Sequence, residues 1–131
     1  MPISFDSALG IHAKALLLRS RRNEVLASNI ANADTPGFKA RDIDFRKVLS
    51  ETADAARLER THAHHLDLNS EAGIEGAELL YRVPNQPSLD GNTVDPDLEK
   101  AAFAENAVRY NASLTFLDRK FRGLMLALKG E

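Results

Sequence analysis

The chain has 131 residues, 44% hydrophobic and 27% charged, with a formal net charge of -2 and a pI near 6.1. That is the length of one domain and an ordinary soluble composition, and it gives no electrostatic reason to expect nucleic acid or an anionic membrane as a partner. The absence of cysteine excludes disulfides, thiol catalysis and zinc-thiolate sites. No run approaches the roughly 18 apolar residues of a bilayer span, and Met1-Pro2-Ile3-Ser4-Phe5-Asp6 lacks the basic start and apolar run of a cleaved secretion signal.

Ser4 or Asp6 is placed to cap a first helix reaching Ala31 or Asn32, roughly 38 Å at ~1.5 Å per residue. Two opposed apolar stripes run along it: Leu9, Ala13, Leu16, Ala27 and Ile30 on one line, and Ile11, Leu18 and Val25 on the other. One stripe can meet the last helix of the same chain, which leaves the other for a different molecule, and Asp at Leu18 or Val25 is expected to block assembly while sparing the monomer. Thr35, standing before Pro36, ends the helix, and Pro36-Gly37 predicts a turn with Gly37 at positive φ.

Asp44 is positioned to cap a short amphipathic helix carrying Phe45, Val48, Leu49, Thr52 and Ala56 on one face. From Thr61 to Leu89, short apolar pieces (Leu66 and Leu68; Leu79, Leu80, Tyr81 and Val83) alternate with Gly73, Gly76, Pro84 and Pro87. This pattern predicts loops with one or two short strands. Asp90-Gly91 marks a turn, and Asp95-Pro96-Asp97 is a helix start with a capping carboxylate, proline at the first position and acid in the first turn. The last helix is expected to run to Lys129 and stop at Gly130, roughly 50 Å long. Phe103, Ala107, Tyr110, Leu114, Leu117, Phe121, Leu124 and Leu128 fall at alternating four- and three-residue steps on it, an a/d seam of more than three heptads.

The predicted fold is therefore mainly α. Long helices at 1–35 and 95–131 pack as a coiled-coil-like pair around an irregular middle at 36–94, which holds a short helix and short strands, in one structural domain.

Chemistry is sparse in this chain. His62, His64, His65 and Asp67 resemble a metal cluster, yet no second ligand pair stands at a fixed spacing from them, so solvated histidines are the simpler reading. His12 stands alone on the first helix. Asp90, Asn92, Asp95 and Asp97 miss the spacing of a calcium loop and suit turn and cap roles. No nucleophile elbow, phosphate loop or carboxylate pair in an apolar setting is present, so neither an enzyme nor a small-molecule substrate or cofactor is expected. Arg19, Arg21 and Arg22 form a basic patch better suited to solvent or salt bridges than to phosphate. Asn23, Ser28, Asn29, Asn32 and Asp34 have two readings: buried amides that fix register, or polar residues that cap a helix end.

The stretch Asn29-Ile30-Ala31-Asn32-Ala33-Asp34-Thr35-Pro36-Gly37-Phe38-Lys39 resembles the N-terminal motif of bacterial flagellar rod, hook and distal-rod proteins. Ala40-Arg41-Asp42-Ile43-Asp44-Phe45, Ser88-Leu89-Asp90-Gly91-Asn92-Thr93-Val94-Asp95 and Thr61-His62 with His65 are similar to members of the proximal rod, as is the last helix from Glu105-Asn106 through Arg109-Tyr110 to Lys120-Phe121-Arg122-Gly123-Leu124. Ala63 stands where the family often has proline. The resemblance implies a structural subunit of the flagellar basal body, without catalysis, exported by the flagellar type III apparatus and built into the membrane-proximal end of the periplasmic rod. The implied partners are the MS ring, the export gate, the adaptor protein at the rod base and other rod proteins, with self-association in the rod. A free-standing helical adaptor that dimerises without polymerising would use the same seams.

Overall fold

The computed structural model describes Leu9, residues 11–55 (51–55 as backbone only) and residues 77–130. The helix start near Ser4 or Asp6, Ala56, the strand-like piece at Leu66 and Leu68, and the histidine cluster His62, His64, His65 with Asp67 lie outside these residues, as does the side chain of Thr52. The elements are α1 (Ile11–Ala31), β1 (Arg41–Ile43), α2 (Phe45–Ala55), β2 (Leu79–Tyr81) and α3 (Pro96–Lys129).

Local chemistry sets most boundaries. α1 stops where expected: Asn32 N–H reaches back to the Ser28 and Asn29 carbonyls, and Thr35 N–H to that of Asn32. Pro36 and Gly37 (φ +73°) then form a turn closed by Phe38 N–H donating to Thr35 O at 3.3 Å. Asp44 caps α2 by accepting from Lys47 N–H at 3.1 Å. Asp95 caps α3, accepting from the amides of Asp97 and Leu98, with Pro96 at the first helical position. Gly130, left-handed at φ 74°, closes the helix by donating to Leu126 O.

β1 and β2 pair antiparallel, with Arg41 opposite Tyr81, Asp42 opposite Leu80 and Ile43 opposite Leu79. β2 falls within the apolar run read as a strand, whereas β1 is an addition. Segment 38–40 extends the pairing irregularly: Arg82 N–H donates to Ala40 O, Thr93 N–H to Phe38 O, and Ala40 N–H to the Thr93 hydroxyl.

The two long helices are antiparallel, because ascending positions on α1 meet descending positions on α3. His12 faces Phe116 with ring centroids 6.3 Å apart, Arg19 and Asn23 meet Asn106, and Asn29 meets Glu99. A small core lies on another side of α1, where Leu18, Val25, Ile43 and Val48 are buried with Phe45, Ala77 and Leu79 packed on them.

This core corrects the assignment of the α1 stripes. Leu18 and Val25 were expected to be left for another molecule, yet β1 and α2 fold back and cover them. The physical reason is that the middle segment has an apolar face of its own (Ile43, Phe45, Val48) and finds its nearest counterpart on α1. Ile11, on the same line, stays exposed, and Leu9, Leu16 and Ile30 are half-buried.

Candidate assembly site

The expected seam of α3 does not coincide with the face turned toward α1. Glu99 and Asn106 are fully buried, while Ala102, Tyr110, Ser113, Leu117 and Leu124 are half-buried, and this row keeps steps of three, four and seven. Of the expected seam, Ala107, Tyr110, Leu117 and Leu124 are half-buried, but Phe103, Leu114, Phe121 and Leu128 remain 37%, 46%, 41% and 85% exposed. Polar pairing accounts for the rotation. α1 presents Asn23 and Asn29 along its α3-facing side, together with the backbone carbonyl of Arg19, and buried amides need partners. Asn106 supplies one, its amide donating at 2.8 Å to both Arg19 O and Asn23 Oδ1. Glu99 supplies another, accepting from Asn29 Nδ2 at 3.0 Å. A periodicity weighted on apolar residues misses this row, although the seven-residue spacing of Glu99, Asn106 and Ser113 is a signal that points to it.

Glu99 anchors a network that crosses the whole fold. Its second oxygen takes Arg82 at 2.9 Å, and Arg82 also pairs with Asp42, which is gripped by Arg22 through two bonds of 2.8 Å. Asn29 completes the link by accepting from Arg41 N–H and donating to Arg41 O. Burial alone would raise the Asp42 carboxyl, but the hydrogen bonds from Arg22 and Arg82 outweigh it and hold the group below its ordinary value. The bond to Asp42 correspondingly raises Arg22.

The basic patch is thus largely used within the chain. Arg22 belongs to this network, Arg21 pairs with Glu24 at 2.6 Å, and the Arg19 guanidinium lies 4.2 Å over the Phe45 ring, a cation–π contact. Of the amides with two readings, Asn29 and Asn23 serve the register between elements, while Asn32 serves the helix end by donating to Ser28 O and accepting from the Thr35 hydroxyl.

The segments 32–39 and 88–93 bind each other. The buried Asn92 amide donates to the carbonyls of Asn32, Ala33 and Thr35 at 3.1, 2.7 and 3.0 Å, adding a donor to carbonyls beyond the end of α1, of which Asn32 O and Thr35 O also accept from Thr35 N–H and Phe38 N–H. Gly37 N–H donates to Asp90 O at 2.9 Å, and Lys39 Nζ donates to Gly91 O at 2.7 Å. Gly91, at φ +76°, passes so close that a Cβ on it would lie 3.8 Å from the Gly37 Cα. Asp90 accepts from the Ser88 hydroxyl and from Asn92 N–H. The Ser88 bond, followed by the Asn92 bond, holds its carboxyl below the ordinary value. Asn32, Thr35, Gly37, Phe38 and Lys39 are thus joined to the segment Asp90–Thr93 in one clasp between the end of α1 and the start of α3, whereas Asn29 bonds Arg41 and Glu99 instead.

Among the described residues, no group of three or more His, Asp or Glu side chains is gathered for a metal ion. No described helix is long and apolar enough to cross a membrane. The arrangement is a pair of helices joined by polar contacts with an exposed apolar row along α3.

Comparison with known proteins gives the family. Residues 9–39 match the family described as "Flagella basal body rod protein". The chain is 50% identical over 127 residues to "Flagellar basal body rod protein FlgB" of Cereibacter sphaeroides, covering 97% of this chain and 98% of that one. It is 46% identical to the protein of the same name from Salmonella typhimurium, covering 95% of each chain. With the Escherichia coli K12 protein of that name the identity is 47%, over 95% of this chain and 94% of that one.

Proposed function

The chain belongs to the FlgB family of flagellar basal body rod proteins, and from that premise we propose that the outer row of α3 is the face by which it packs against neighbouring rod subunits. It is a structural component of the basal body rod, not an enzyme. The observation that carries the proposed role of α3 is the exposure of Phe103, Leu114, Phe121 and Leu128 on a face that flanks the row from Glu99 to Leu117 turned toward α1. Leu17, 61% exposed, adds an apolar residue on α1. A tube of subunits requires helices contacted on more than one side, and a face of large apolar groups on a folded chain marks such a contact.

In this reading the subunit stands at the membrane-proximal end of the periplasmic rod. The MS ring, the export gate and the rod-base adaptor lie below it and other rod proteins lie around and above. It reaches that place through the flagellar export apparatus and transmits torque by helix-to-helix packing. No observation favours a free-standing dimeric adaptor.

Leu114→Asp and Phe121→Asp are expected to abolish swimming when they replace the wild-type gene, while the purified variants keep wild-type helicity and solubility. Motile cells with intact rods would overturn the assignment of this face.

A further inference from the structure

The small sheet is closed on one side and open on the other. Asn29, reaching from α1, accepts from Arg41 N–H at 3.1 Å and donates to Arg41 O at 2.7 Å, so it takes the place of a further strand beside β1. Arg41 therefore turns its backbone polar groups away from β2, and in an antiparallel ladder the residue opposite it turns its own away from β1. That residue is Tyr81. The bond from Arg82 N–H to Ala40 O at 2.9 Å fixes the same phase, in which Leu80 and Arg82 address β1 while Leu79, Tyr81 and Val83 address the far side. The sheet ends at β2, and among the described residues no backbone bond from a turn or loop reaches those three. Leu80, Tyr81 and Val83 stand 43%, 70% and 87% exposed along this edge.

An open apolar edge is a template for another strand, and the phase of β2 restricts how it can accept a copy of itself. In an antiparallel pair of β2 strands the outward-facing residues must be the hydrogen-bonded partners. A two-fold axis at Leu79 then sets Leu80 against Glu78, and an axis at Tyr81 sets Leu80 against Arg82. With the axis at Leu80, that residue meets its own copy, Tyr81 meets Leu79, Val83 meets Ala77 and Glu78 meets Arg82. Of these registers, only the last gives each exposed apolar residue of the edge an apolar partner and sets opposite charges across from each other. Arg82 is already held by Asp42 and Glu99, and Glu78 lies 3.8 Å from Lys47, so the charges select the register by avoiding mismatch and add little attraction.

We propose that two copies of this chain pair reversibly through the open edge of β2, antiparallel about Leu80, to form a four-stranded sheet in the order β1-β2-β2-β1. Asn29 ties α1 to the opposite edge of that sheet. The contact goes beyond the rod reading and uses none of the outer row of α3. It is isologous and closes on itself, and a strand edge of this length buries less than the ~1,200 Å² of a stable complex. The pair is therefore a transient form of the unassembled subunit, in which each copy shields the edge of the other from foreign strands, and not a standing dimer that replaces the rod.

Because the chain has no cysteine, disulfide formation in full-length single-cysteine variants, each folded by circular dichroism, reads the register directly. In Leu80→Cys the two thiols face each other across the axis in a non-hydrogen-bonded pair, with Cα atoms about 4.5 Å apart, inside the span of a disulfide. In Val83→Cys they do not meet, although position 83 is the more exposed. Under mild oxidation Leu80→Cys is expected to cross-link about tenfold faster than Val83→Cys, because its thiols are held in position to react. An equimolar mixture of Ala77→Cys and Val83→Cys is expected to give mainly the mixed dimer. Adding Leu80→Lys to both of those chains sets two ammonium groups face to face and is expected to abolish that preference. Random collision follows exposure, so Val83→Cys matching or outpacing Leu80→Cys overturns the proposal, as does a statistical product from the mixture. Leu114→Asp in the Leu80→Cys chain is expected to leave the cross-linking rate unchanged, and a loss of cross-linking there would move the contact to α3 and overturn its assignment to β2.

Discussion

Glu99 shows how one buried side chain can determine the geometry of a whole subunit. With 1% of its surface exposed, it receives Asn29 from α1 and Arg82 from the end of β2, so removing it unties α3 from both, leaving Arg82 with Asp42 alone and the Asn29 amide with Arg41 O alone. Glu99→Ala is expected to destabilise the chain by about 3 kcal/mol, in the range for breaking a buried pair by deleting one member, measured as a lower urea midpoint. Asn92→Ala, which removes one donor from each of three carbonyls and leaves two of them with a backbone N–H, is expected to cost about 1–3 kcal/mol. Asp42 gives the network a pH dependence. Its carboxyl titrates below the ordinary value in the folded chain, so its contribution to stability is present above about pH 4 and is lost as pH falls through the folded value. Asp42→Asn is expected to flatten the acid side of the stability profile, and an unchanged profile would place the acid sensitivity on other carboxylates.

At the scale of elements, the glycines of the clasp are tested most cleanly. A Cβ at Gly37 would meet nothing within 4 Å, yet φ is +73°. Gly37→Ala should therefore cost about 1 kcal/mol from backbone strain alone, read as a lowered melting temperature with helicity retained at room temperature. The elements differ in how far the sequence foretells them. The start and stop of α3 and the turn at Pro36-Gly37 are legible because caps, proline and glycine act on neighbours in the chain. β1 is not legible, since Arg41-Asp42-Ile43 becomes a strand only by pairing with Leu79–Tyr81, almost forty residues away. The rotation of α3 also escapes an apolar pattern, because Asn29 and Asn23 on α1 recruit Glu99 and Asn106 in place of the larger leucines and phenylalanines. The family motif is conspicuous in sequence, but its mutual clasp with Asp90-Gly91-Asn92 appears only once the chain is folded.

For the whole molecule, polar groups and the clasp close the α1–α3 pair, while large apolar groups remain outside. This division reverses what an isolated coiled-coil pattern suggests. Leu18 and Val25 belong to the small core, so Leu18→Asp should unfold the chain and would report on folding, not on assembly. The outer row of α3 should behave oppositely, tolerating polar substitution in the isolated subunit and not in the rod.

The absence of native cysteine makes that claim directly measurable. Single-cysteine chains with Leu114→Cys, or with Leu18→Cys as the buried control, can be treated with a maleimide as the isolated folded subunit and again within purified basal bodies. The thiol at position 114 is expected to react readily in the isolated subunit and to be protected in the rod, while the thiol at 18 is protected in both. Equal labelling of position 114 in the two states would contradict the assignment of α3's outer row as the face that neighbours cover.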